Sequence, residues 1–186
     1  MKRVAAAILL LAVLLCGCHG SKDSSEEGVI LRQSLLNGNG CAFSCVINAD
    51  FGQTEYVFKL DCQADKEGAV HFRVVAPEEI SMIEGSVDHQ SGKLTFDDTV
   101  LSFPLLAQGE ISPVCAPWLF YKALLGGYIR ASGKDHDGLR ITIDDSFQGE
   151  SLTLEIWLDE GIPKWAEIVW QGRKIITMDV SEFRIL

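Results

Sequence analysis

Apolar and polar residues alternate from residue 41 onward. Cys41, Phe43, Cys45, Ile47 and Ala49 interleave with Ala42, Ser44, Val46 and Asn48. After Asp50-Phe51-Gly52-Gln53, Tyr56, Phe58, Leu60, Cys62 and Ala64 face one way, while Glu55, Lys59, Asp61, Gln63 and Asp65 face the other. A strand with one apolar and one wet side belongs to an antiparallel sheet. Lys66-Glu67-Gly68 turns the chain into Val70, Phe72 and Val74, and Pro77 ends that strand because it cannot donate to a ladder. Further strands are predicted at 81–87, 93–96 and 100–103. A polar loop at 132–138 follows, and strands then resume through Leu139, Ile141 and Ile143, through Leu152, Leu154, Ile156 and Leu158, and through two last segments turning at Gln171-Gly172. Spacing of this kind is that of a meander, with about nine to eleven strands.

Two segments break the period of two. Between Val29 and Leu36, the positions Ile30, Leu31, Ser34 and Leu35 share a helical face, and Gly38 follows as a stop. The second segment, Ser112 to Tyr128, carries Pro113 where a first helical residue belongs and Gly126-Gly127 at its end. Pro117 lacks an N–H, so the regular helix starts only at Ala116 or Pro117. The pattern predicts an α+β fold, an antiparallel sheet with one strongly apolar helix inserted two-thirds of the way along.

That helix is apolar nearly all round: Trp118, Leu119, Phe120, Tyr121, Leu124 and Leu125 surround it, and Lys122 is its lone charge. Such a helix must be covered nearly all round. Either the sheet curls over it to make a solid core, or an apolar ligand fills the gap. The inward rows Tyr56, Phe58, Leu60 and Leu152, Leu154, Ile156 line either arrangement. Candidate cavity residues are therefore Tyr56, Phe58, Leu60, Trp118, Phe120, Tyr121, Leu124, Leu154 and Ile156.

The N-terminus supplies an address. Lys2 and Arg3 precede an apolar run, Val4 to Leu15, which falls short of the ~20 residues that span a bilayer and suits a secretory signal. Leu15-Cys16-Gly17-Cys18 closes it and resembles the lipobox of bacterial lipoproteins, which implies acylation of Cys18 and cleavage just before it. The expected organisation is a signal peptide over 1–17, lipidated Cys18 with a polar tether to residue 28, and one domain over 29–186. Its expected place is the extracytoplasmic face of the cell or outer membrane. The formal charge of −10 argues against nucleic acid, whose phosphates need a basic footprint, and against electrostatic adhesion to anionic lipid. Attachment then falls to acyl chains, of which two hold firmly where one is marginal.

Export also places Cys41, Cys45, Cys62 and Cys115 where disulfides are allowed. If Asp50–Gln53 is the hairpin loop, Ala49 lies opposite Thr54 and Cys41 opposite Cys62. The pair is either a cross-strand disulfide or two buried thiols.

Trp157-Leu158-Asp159, Ile162-Pro163 and Ala166-Glu167-Ile168 form a hairpin that resembles one common in the LolA/LolB-like fold, which includes LppX-type lipoproteins and RseB-type sensors. The resemblance implies a curved, incompletely closed antiparallel sheet, an incomplete barrel, with the apolar helix covering its concave face and an apolar cavity under 112–128. It also implies an acyl-lipid or lipoprotein ligand there, or a sensor and interaction role with no ligand in the cavity. The lipobox separates this chain from the soluble carriers.

No Gly-x-Ser-x-Gly, Ser-x-x-Lys, His-Glu-x-x-His, Cys-x-x-Cys or Walker-type loop occurs, so no enzyme and no cofactor is expected. His19, His71, His89 and His136 read as solvated, and Asp135-His136-Asp137-Gly138 with Asp144 and Asp145 reads as acidic turns in preference to a calcium site. Glu155 and Glu167 fall on neighbouring strands, on the wet face.

Overall fold

The computed structural model describes residues 24–107 and 109–186. The predicted signal peptide, Cys18 and residues 19–23 of the tether lie outside the described residues. Helix α1 spans Ser24–Asn37, longer than the predicted segment and starting inside the stretch read as tether. Glu26 and Glu27 in its first turn favour the positive end of the helix dipole. Gly28 is buried, and a Cβ there would sit 3.1 Å from Ile141, so the polar sequence before Val29 serves close helix-to-sheet approach.

Eleven strands form one antiparallel sheet. They are β1 Gly40–Asp50, β2 Glu55–Asp65, β3 Val70–Ala76, β4 Glu84–Val87, β5 Gly92–Phe96, β6 Thr99–Phe103, then, after a separate two-stranded pair β7 Leu106–Ala107 and β8 Glu110–Ile111, β9 Tyr128–Asp135, β10 Gly138–Phe147, β11 Glu150–Asp159, β12 Ile162–Trp170 and β13 Arg173–Ile185. The order is β6-β5-β4-β3-β2-β1-β13-β12-β11-β10-β9. All neighbours are consecutive in sequence except β1 and β13, which join the two halves of the meander. β6 and β9 remain free edges, so the barrel is incomplete. Bulges interrupt the ladders β1–β13, β2–β3, β9–β10, β11–β12 and β12–β13. Each bends its strand, and helix α2, Ala116–Gly126, meets the adjacent strands β2 and β3 as well as β10, which lies far from them in the sheet. The sheet therefore curls around it.

Several tight turns place two successive residues in the left-handed region, as at Glu160-Gly161 (φ 51° and 78°) and Gln171-Gly172 (φ 49° and 78°). Their backbone twist matches that of the strands they join, which pins the register of the β11–β12–β13 sheet. In the shorter half, aromatic rings take the place of missing side chains: Phe72 covers Gly85, and a Cβ on Gly92 would lie 2.0 Å from the Phe103 ring.

Two expectations are corrected. Residues 132–138, read as a loop, lie mostly in β9, which pairs with β10 from Tyr128 to Asp135. They are polar because β9 is an edge strand, whose side chains mostly meet water. The β1–β2 register is also displaced. Asp50 pairs with Glu55, so Cys41 faces Ala64 and Phe43 faces Cys62. The hairpin loop is 51–54 instead of 50–53, since Asp50 Oδ1 accepts from Gly52 N at 2.7 Å and Thr54 O accepts from Phe51 N at 3.1 Å. Moving a loop by one residue slips the register by two and leaves every side chain on its predicted face.

Candidate functional site

Helix α2 follows a short 3₁₀ turn, Pro113–Cys115, and Ser112 makes no side-chain cap. Ala116 to Tyr121, Ala123 and Leu124 are all buried. Two side chains tether the helix to the β2–β3 turn: Trp118 Nε1 donates to Gly68 O at 3.1 Å, and Tyr121 Oη donates to Asp65 O at 3.0 Å. Across the helix, Lys122 Nζ bonds Asp145 Oδ2 at 2.6 Å and Ser146 O at 3.1 Å. Burial, reinforced by the negative charge of nearby groups, pushes the Tyr121 phenol up to about 12.

The last turn of α2 has no basic residue of its own. Arg32 of α1 supplies one: Nε donates to Leu124 O at 2.6 Å, and Nη2 to Ala123 O at 3.2 Å and Gly127 O at 2.7 Å. Carbonyls at a helix C-terminus lack intrahelical partners and carry partial negative charge, so the guanidinium satisfies them and docks the two helices. Burial lowers the Arg32 pKa. Sequence reading missed this residue; an Arg placed one turn from a helix end, facing an uncapped apolar helix elsewhere, was the available signal.

Seven of the predicted cavity residues meet in one packed core: Leu60, Trp118, Phe120, Tyr121, Leu124, Leu154 and Ile156. Phe58 is half-buried against it, and Tyr56 is 48% exposed at the far end of β2, edge-on to Phe51. Tyr56 thus does not line the space under α2. Rings fill that space: Trp118, Phe147 and Trp170 stack edge to face in series at 6.0 and 5.7 Å, and Phe43 meets Phe120 at 5.6 Å. Among the described residues, the buried polar side chains are Ser44 and Thr142.

Open space lies elsewhere. A groove of about 580 Å³ runs between α1, the β11–β12 turn and the end of β13, with Ile30, Leu31, Ile162, Phe183 and Ile185 as its apolar lining and Glu27, Ser34, Glu160 and Arg184 beside them. Ile30 is 56% exposed, Ile162 41% and Ile185 39%. None of these was singled out as a ligand contact from sequence. A second depression, about 830 Å³, lies on the opposite, polar face of β1–β5 and β13. There Ser44 donates to Asp61 at 2.6 Å and Arg73 pairs with Glu84 at 3.0 Å.

Other candidates do not converge. Asp144 and Asp145 sit at the far end of β10 from the Asp135–Gly138 turn, roughly 20 Å away at strand rise, and are held by Arg130 and Lys122. Glu155 faces Glu167 directly across β11–β12, flanked by Arg140 at 3.3 Å and Lys174 at 3.1 Å. His71 and His136 are exposed, each beside an aspartate. All four described cysteines are buried free thiols, and the cysteine nearest Cys62 is Cys45, at 4.0 Å between sulfurs.

These features define an α+β protein built as an open antiparallel half-barrel whose interior is apolar and closed by two helices. Neither a protein-family model nor a curated protein matches the sequence. Solved structures similar in fold include a DUF1329 family protein from Desulfovibrio piger (8% identity, 86% of this chain and 90% of that one, TM-score 0.48). A LolA superfamily protein from Nitrosomonas europaea is similar at 8% identity over 86% and 93% of the chains, TM-score 0.44. An outer membrane lipoprotein-sorting protein domain from Vibrio parahaemolyticus is similar at 12% identity over 86% and 91%, TM-score 0.44.

Proposed function

We propose that this chain is a lipoprotein, anchored through Cys18 at the extracytoplasmic face of a membrane, that binds an acyl chain of a lipid or lipoprotein in the groove between α1 and β12–β13. The groove itself carries the reading. Its volume of about 580 Å³ lies within the ~300–1,000 Å³ of small-molecule sites, and such sites combine apolar walls with a few polar groups. Ile30, Ile162 and Ile185 are left half in water by the folded domain, which favours an apolar occupant.

Two measurements test it. A domain beginning after Cys18 is titrated with a fluorescent long-chain acyl probe, and its organic extract is analysed by mass spectrometry. Ile30→Asp and Ile185→Asp are expected to weaken the probe at least tenfold while leaving the melting temperature nearly unchanged, because both positions are exposed. A clickable fatty acid should label the wild-type chain in cells and fail to label Cys18→Ala. A domain that carries no lipid and ignores the probe would sink the ligand reading. An interaction or sensor lipoprotein would then stand, with exposed Phe96, Val100 and Leu101 on the β5–β6 hairpin as its favoured surface.

A further inference from the structure

Cys62 lies opposite Phe43 in the β1–β2 ladder, while Cys41 and Cys45 stand two positions to either side of Phe43 on the same face. That register by itself leaves the two diagonals equivalent. Strand twist does not, because it brings one diagonal of an antiparallel pair closer than the other. Here the near one is Cys45, whose sulfur is 4.0 Å from that of Cys62. A disulfide needs about 2.05 Å between sulfurs, so the pair must draw closer than it stands in the folded domain, which a β1–β2 hairpin not yet fixed by the core allows.

We infer that Cys45 and Cys62 are a disulfide site that closes while the chain folds and is sealed from redox chemistry once α2 has docked. The chemistry is thiol–disulfide exchange with an incoming protein or small-molecule disulfide. The Cys45 thiolate attacks one of its sulfurs and expels a thiol. The Cys62 thiolate then attacks Cys45 in the mixed disulfide and expels the second. One S–S bond is broken and one formed, the incoming disulfide is reduced to two thiols, and the two cysteine protons end on those thiols.

Two features place this step before the core closes. Both cysteines are buried, with Cys45 1% and Cys62 5% exposed, and Phe120 of α2 packs edge-on to Phe43, the residue opposite Cys62 and two before Cys45. Burial first, and then the neighbouring Cys45 thiol, hold Cys62 protonated well above the ordinary thiol range. Cys62 in the folded domain is thus short of thiolate, the form that attacks, and burial keeps both sulfurs out of reach of an oxidant. Export, which the N-terminal signal implies, delivers the chain unfolded into a compartment where such a bond persists.

The experiment compares two refolded samples of the domain, one refolded with a thiol reductant and one with a mixture of reduced and oxidised glutathione. Non-reducing peptide mass mapping should find Cys45 linked to Cys62 in the second sample, with Cys41 and Cys115 free, and a melting temperature higher by roughly 5–10 °C. The first sample, once folded, should keep both thiols through hours in oxidised glutathione. Cys41→Ala should still form the bond and Cys45→Ala should not. A Cys41–Cys62 link, any link to Cys115, or only free thiols after oxidative refolding would overturn the assignment. Oxidation of the already folded protein would overturn the sealing. Should Cys45→Ala fail to fold, the wild-type and Cys41→Ala maps decide.

Discussion

Trp118 donates its indole N–H to the carbonyl of Gly68 at 3.1 Å, which ties an apolar helix to the turn between β2 and β3. The ring is 4% exposed and stands edge-on to Phe147, so its bulk and its donor do separate jobs. Trp118→Phe keeps most of the packing, loses the hydrogen bond and should cost about 1 kcal/mol. Trp118→Ala also opens a cavity and should cost ~3–5 kcal/mol. Urea unfolding separates the two. Because the space under α2 is solid, neither variant should change acyl-probe affinity while the domain remains folded.

Arg32 should matter more than its half-exposed position suggests. Arg32→Met removes the donors to the carbonyls of Ala123, Leu124 and Gly127 and is expected to destabilise by about 2 kcal/mol, the scale of charged hydrogen bonds. Arg32→Lys should recover little, since an ammonium cannot bond all three carbonyls in the geometry of the planar fork. Hydrogen exchange should report the loss first at the C-terminal turn of α2.

Alkaline pH should unfold the domain through groups that the core keeps neutral. Burial raises the Cys41 and Cys115 thiols from 9.0 to about 12 and the Tyr121 phenol from 10.0 to about 12. Between those values the folded state holds protons that the unfolded state has released. Stability is then full below about pH 9 and falls as pH rises toward 12. Denaturant midpoints measured across that range should slope downward, less steeply in Cys115→Ala. A flat profile would contradict the burial of these groups.

The paired carboxylates Glu155 and Glu167 are tolerated because Arg140 and Lys174 flank them. Removing both cations should leave like charges directly opposed, a destabilisation of roughly 0.5–1 kcal/mol. Raising ionic strength should shrink the difference between the wild type and the double variant Arg140→Ala/Lys174→Ala. Thermal melts at low and high salt would reveal it, and equal differences at both would argue against the electrostatic account.

The sequence by itself determined the local period and the side each residue faces. Alternation at 41–64 and 152–158 is a property of the strand, and the ring of apolar side chains from Trp118 to Leu125 is a property of the helix, so strands, faces and the need to cover α2 were all legible. What tertiary structure alone decided has a common cause, namely that it depends on residues far apart in the chain. A pattern with period two is blind to a register slip of two, so the small hydrogen bonds at Asp50 and Phe51 put Phe43 instead of Cys41 opposite Cys62, and strand twist then brought Cys45 to its side. Tyr56 follows the inward alternation yet lies beyond the reach of α2, and only the placement of the helix shows that. Residues 132–135 look like a loop because an edge strand tolerates polar side chains on both faces. Curl produced by bulges lets rings fill the interior, and the groove beside α1 exists only because Ile30, Ile162 and Ile185, each unremarkable in its own segment, are brought to one place by folding.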